Sequence, residues 1–117
     1  MKIEIDIEGT TISAVLNDSE TARDFSMLLP LSLSLEDYAS TEKVSDLPKA
    51  LSTSNAPSGT SAKAGDLTYY SPWGNLAIFY KDFPRAPGLV KLGTLDSGID
   101  IMRKKGPLRV TIRLSEK

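Results

Sequence analysis

The sequence predicts a mainly β fold, a closed or nearly closed β-barrel with one or two short helices packed against it. Three observations predict this. Apolar and polar residues alternate at period two in several separate stretches, as half-buried strands require. Those stretches are short and are parted by turns containing Gly, Pro or Ser. Apolar residues at helical spacing behind a capping signal mark one helix of about three turns, and a second helical segment is shorter still. At 117 residues the chain can bury one core but not two, so residues 1–117 are read as a single domain.

Ile3, Ile5 and Ile7 alternate with Glu4, Asp6 and Glu8, which puts three β-branched side chains on one face and three charges on the other. Gly9-Thr10-Thr11 offers a turn, and Ile12, Ala14 and Leu16 resume the alternation, so residues 2–17 read as a β-hairpin. Asn17 and Asp18 can cap a helix that begins near Ser19. Ala22, Phe25, Leu28 and Leu29 fall on one side of it before Pro30 blocks continuation.

Leu31, Leu33 and Leu35 alternate with Ser32 and Ser34 in a strand that ends in Glu36-Asp37-Tyr38. From about Ala50 to Ala64, small and polar residues displace large apolar ones, which predicts a long surface loop. Leu67 to Tyr70 and Leu76 to Tyr80 flank the turn Ser71-Pro72-Trp73-Gly74-Asn75 and form a second hairpin. Leu89 to Leu95 and Leu108 to Leu114 supply two more strands, with a short helix through Ile99, Ile101 and Met102 between them.

Composition excludes several functions. With 14 basic residues against 15 acidic ones, no overall field favours nucleic acid or an anionic membrane, and neither is an expected partner. There is no cysteine, which removes disulfides, thiolate metal sites and cysteine nucleophiles. There is no histidine either, so the Ser-His-Asp triad and the ordinary zinc hydrolase are ruled out. No cofactor and no metal are expected. The opening Met1-Lys2-Ile3-Glu4-Ile5-Asp6 carries acids where a secretory signal carries an apolar run, which predicts a cytoplasmic protein unless a leader has been removed.

Two stretches resemble cyclophilins. The hairpin followed by Leu16, Asp18, Thr21-Ala22 and Phe25 resembles the opening of a cyclophilin, where a strand pair runs into a helix. Val90 to Leu95 followed by Gly98-Ile99-Asp100-Ile101 resembles the strand, glycine turn and short helix before the last cyclophilin strand. The whole chain is still more similar to the small bacterial proteins described as cyclophilin-like, through Leu31 to Tyr38, Glu42-Lys43, Leu47-Pro48, Gly65-Asp66 and Phe79-Tyr80. The resemblance implies a cyclophilin-like β-barrel and is nearly silent on activity.

Prolyl isomerisation must lower a barrier of about 18–20 kcal/mol, which takes an apolar proline pocket and a donor near the imide nitrogen. Cyclophilins supply that donor with the arginine of a Phe-His-Arg segment, and no such segment exists here. The histidine that precedes their strand resembling Val90 to Gly93 aligns with Leu89. Arg85 can stand in for the arginine only outside any matching motif.

Three groups of residues remain as candidates. Glu36, Asp37, Tyr38 and Glu42 gather acids and a phenol at a strand end. They can serve acid-base chemistry or hold a hard cation, although the spacing matches no calcium loop and the plain structural reading is solvation or pairing with Lys43. Tyr69, Tyr70, Trp73, Phe79, Tyr80 and Phe83 are six of the eight aromatics. Alternation forbids Tyr69 and Tyr70, or Phe79 and Tyr80, from both facing inward, so one of each pair can line a groove. Arg103-Lys104-Lys105 reads as charge meeting a helix C-terminus.

The leading expectation is a non-enzymatic binding module with a groove for a small molecule or an extended peptide. Its candidate ligand-binding residues are Glu36, Tyr38, Glu42, Trp73, Tyr80, Phe83 and Arg85. A weak or divergent prolyl isomerase and a carboxylate enzyme built around Glu36 are the competing readings, and the oligomeric state stays open.

Overall fold

The computed structural model describes residues 1–115. In chain order its elements are β1 (Lys2–Ile7), β2 (Thr10–Leu16), α1 (Glu20–Ser26), β3 (Leu31–Tyr38), β4 (Glu42–Asp46) and β5 (Gly59–Ala62). They continue with β6 (Asp66–Tyr70), β7 (Asn75–Phe79), β8 (Phe83–Pro87), β9 (Leu89–Leu95), α2 (Ile99–Met102) and β10 (Leu108–Leu114). Eight of the strands close an antiparallel barrel in the order β1-β10-β3-β4-β7-β6-β9-β2, and β5 and β8 form a separate two-stranded sheet. The mainly β barrel expected from the period-two pattern is the observed fold.

The first hairpin turns one residue earlier than its sequence suggests. Ile7 pairs with Thr10, so the turn is Glu8-Gly9, with φ of 47° and 97°, while Thr10 and Thr11 belong to β2. A two-residue hairpin turn that follows the strand twist needs positive φ at both central positions, and glycine supplies the second without strain.

Helix α1 is also shorter than expected, seven residues rather than about three turns. Ser19, not Asn17 or Asp18, is its cap, accepting from the Ala22 amide at 3.1 Å, and Asn17 in turn accepts from the Ser19 amide at 3.0 Å. Pro30 disfavours helical backbone at Leu29, so the helix ends early and Leu28 and Leu29 pack on the core from the following turn.

Two regions differ more. The segment from Ala50 to Ala64 is not one long loop, because Gly59–Ala62 forms β5 and pairs with β8. The remainder is tied down: the Thr21 hydroxyl donates to the Ser52 carbonyl at 2.7 Å, the Ser52 amide donates to Asp24 at 2.7 Å, and the Leu51 amide donates to the Tyr69 hydroxyl at 3.1 Å. Strand β4 went unrecognised because Glu-Lys-Val-Ser-Asp shows no apolar alternation.

The isoleucines of β1, with Ile12, Leu16, Tyr69, Leu76, Ile78, Leu92, Val110 and Ile112, fill the barrel, and Phe25 and Met102 join them from the helices. A second, smaller apolar cluster lies outside the barrel wall, where Ala62 of β5 covers Ala77, Phe79 and Leu89. This cover explains why every residue of β7 is buried: one face meets the core, the other the β5–β8 sheet.

A cavity on the outer face of the barrel

The register of four neighbouring strands decides which side chains meet outside the barrel. Tyr38 lies opposite Glu42 across β3 and β4, Glu42 lies opposite Phe79 across β4 and β7, and Tyr70 lies opposite Asn75 across β6 and β7. Paired residues share a face, so Tyr38, Glu42 and Phe79 project outward together. Tyr70 and Asn75 do so further along.

The turn between β6 and β7 then folds Trp73 over them, held by its amide to the Tyr70 carbonyl at 3.2 Å and by the Gly74 amide to the same carbonyl at 2.9 Å. Gly88, between β8 and β9, seats this turn: its carbonyl accepts from the Ser71 amide at 2.9 Å. A Cβ at Gly88 would lie 2.7 Å from the Pro72 ring, and its φ is +82°.

A cavity of about 230 Å³ results, closed on its far side by Phe83 and Ala86 of β8 and Leu89 of β9. The rim is aromatic. The Trp73 ring meets the Tyr38 ring edge-on at 5.2 Å and the Tyr70 ring at 5.3 Å, while Phe79 and Phe83 lie 5.7 Å apart. Trp73 is 54% exposed and Tyr38 46%, a large apolar investment at the surface of a small domain.

Two acceptors interrupt these apolar walls. Glu42 is half-buried and has neither an ion pair nor a side-chain hydrogen bond among the described residues; burial alone pushes its carboxyl up to about 7. Asn75 is 5% exposed, and its Oδ1 is buried with no hydrogen-bond partner among the described residues. Among the described residues no lysine or arginine stands in the cavity walls.

The inner face of the same strands is different. Lys43, next to Glu42, turns into the end of the barrel and is fully buried. Its ammonium donates to the carbonyls of Lys104 at 2.5 Å and Gly106 at 2.6 Å and pairs with Asp37 Oδ1 at 2.9 Å. Asp37 also accepts from the Tyr80 hydroxyl at 2.8 Å and from the Gly106 amide at 2.9 Å. Bonding to Lys43 above all holds the Asp37 carboxyl down at about 2. Burial, reinforced by Asp37, pushes Tyr80 up to about 12.

Of the candidate residues, the structure brings Tyr38, Glu42, Trp73 and Phe83 together in the cavity and leaves three elsewhere. Tyr80 belongs to the inner face, 6% exposed, because alternation sends Phe79 outward and Tyr80 in. Glu36 is exposed on β3 beyond the cavity walls. Arg85 turns away to donate to the Ser58 hydroxyl at 2.7 Å. The acids of residues 36–42 do not converge, since Asp37 points inward, and no group of three or more acids able to hold a metal ion exists among the described residues.

The walls that sequence reasoning missed are Val44, Asn75, Ala86 and Leu89. Only Leu89 left a signal, as the residue aligned with the cyclophilin histidine. Among the described residues no helix is long and apolar enough to cross a membrane.

An eight-stranded antiparallel barrel carrying a covered cavity on its outer wall is the class that fold and site define. The chain belongs to the cyclophilin-like family, whose model matches residues 5–113. Among solved structures it is similar to a hypothetical protein from Archaeoglobus fulgidus determined in solution, with a TM-score of 0.68, 17% sequence identity, and coverage of 98% of this chain and 95% of that one. At that identity the likeness shows the fold alone. No curated protein matches the chain.

Proposed function

We propose that this protein is a non-enzymatic binding module that holds a small molecule, or one side chain of an extended peptide, in the outer cavity. The observation that carries this reading is the Glu42 carboxyl, half-buried without a hydrogen bond or ion pair among the described residues, in the wall of a concave aromatic surface. A buried acceptor without a donor costs roughly 1–3 kcal/mol, and a ligand N–H removes that cost. Ligand sites are typically concave, mostly apolar and set with a few polar groups that fix orientation, and this cavity has that composition. Its volume of about 230 Å³ suits a group the size of one amino-acid side chain.

Trp73 is the only tryptophan of the chain, so its fluorescence reports directly on the cavity. Titrating a panel of metabolites and short blocked peptides should change that emission and raise the melting temperature for at least one compound class, since a ligand bound only by the native state stabilises it. Both responses should disappear in Phe83→Ala. A panel of acidic, basic and neutral compounds that moves neither signal at millimolar concentration would sink the binding reading.

A further inference from the structure

The carboxyl group of the cavity defines the chemistry of what would fill it. Among the described residues Glu42 lines the pocket with no counter-charge from any wall. It asks for N–H groups. From there an apolar stem would run over Val44 and Phe79, beside the rings of Tyr38 and Trp73. Aromatic faces attract cations by about 0.5–2 kcal/mol, most when water is excluded.

We infer that the cavity takes a basic group on an apolar stem, a primary ammonium or guanidinium seated against Glu42. This rests on the binding reading above and narrows it. A lysine or arginine side chain of a peptide has this build, and so does a free α,ω-diamine. Quaternary ammonium ions lack the N–H groups that the Glu42 carboxylate accepts. Because burial raises the Glu42 carboxyl to about 7, seating a cation beside it expels a proton from the fraction still protonated near neutrality.

The test is Trp73 fluorescence titration at pH 8 with four probes: Nα-acetyl-lysine methylamide, its neutral isostere Nα-acetyl-norleucine methylamide, 1,5-diaminopentane and tetramethylammonium. The lysine derivative should bind at least tenfold more tightly than the norleucine derivative and than tetramethylammonium. Glu42→Gln, checked for folding by its thermal transition, should bring the lysine derivative down to the norleucine level.

The diamine identifies the source: affinity equal to the lysine derivative supports a free amine, and weaker affinity supports a peptide side chain. Equal binding of the norleucine and lysine derivatives would overturn the basic-group inference and leave the binding module standing. Silence from all four probes, with a response from an acidic or neutral member of the wider panel, would do the same. Silence throughout would remove both.

Discussion

Glu42 and Lys43 are consecutive residues of β4, yet their surroundings are opposite. Lys43 is fully buried and every proton of its ammonium has a partner: two carbonyls and the Asp37 carboxylate. Glu42 is half-buried with no partner of that kind among the described residues, and the carbonyl of Asn75 shares its face and its lack of a donor. Period two along a strand makes this contrast possible, since neighbouring side chains enter different environments. A buried charge whose bonds are all made within the chain holds the fold together. A carboxyl group left unpaired on a concave surface is open to a partner from outside, and its placement separates the structural polar groups of this barrel from the one proposed to bind.

The comparison can be broken most forcefully at Lys43. Lys43→Met leaves two carbonyls without their donor and takes from Asp37 its charged partner, and a buried hydrogen-bonding group left unmet costs about 1–3 kcal/mol, to be read from urea denaturation. A loss under about 1 kcal/mol would show that the inner network contributes no more than a surface pair.

Asp37→Asn tests the other side of that pair and should cost about 2 kcal/mol, as lost hydrogen bonds to a charged group do. Its signature is in acid: the Asp37 carboxyl is held at about 2 against an ordinary 3.8. The wild type therefore has this contribution in full above pH 4 and loses it as pH falls toward 2. The variant's stability should be flatter across that window, and parallel curves would refute the assignment.

On the outer face, Trp73→Ala should weaken the best ligand about tenfold, equivalent to about 1.4 kcal/mol, while leaving the melting temperature nearly unchanged, because the ring is 54% exposed. A large melting shift would make Trp73 a structural residue instead.

The last test is Glu42→Gln in the absence of ligand. Burial raises this carboxyl from 4.5 to about 7, so between those values the folded chain keeps a proton that the unfolded chain has released. Stability contributed by the neutral form is therefore present at low pH and lost as pH rises through that range. Among the described residues the ionisable groups around Glu42 are the phenols of Tyr38 and Tyr70 and, on the opposite face, Tyr80 with the paired Lys43 and Asp37. The variant should melt higher than wild type at pH 8 and equally at pH 4, and a difference at pH 4 would point to packing rather than charge.

The barrel was legible wherever one face of a strand is apolar. Ile3, Ile5 and Ile7, then Ile12, Ala14 and Leu16, announce β1 and β2, the same pattern marks β3 and β10, and β7 reads as a continuous apolar run, buried on both faces. Strand β4 was hidden because its inward side chain is Lys43, a charge where the pattern expects a hydrophobe. Strands β5 and β8, made of Gly, Thr, Ser, Ala and Pro with one Phe and one Arg, lie outside the barrel and so lack its alternation.

In the cavity, Tyr38, Glu42, Trp73 and Phe83 stood out through the clustering of aromatics and acids. Asn75 did not, because its burial depends on a cover that only the fold supplies. Tyr80 was legible as an aromatic but not as an inward one, since alternation gives opposite faces to Phe79 and Tyr80 without saying which is which.

The β5–β8 sheet takes no part in the ring of strands, yet it carries the wall that shapes the pocket. Phe83 and Ala86 can therefore be exchanged for larger, smaller or charged residues without breaking a single rung of the barrel's ladders. A scaffold divided in this way lets recognition drift while folding stays fixed, and it makes those two positions the natural place to graft a new specificity.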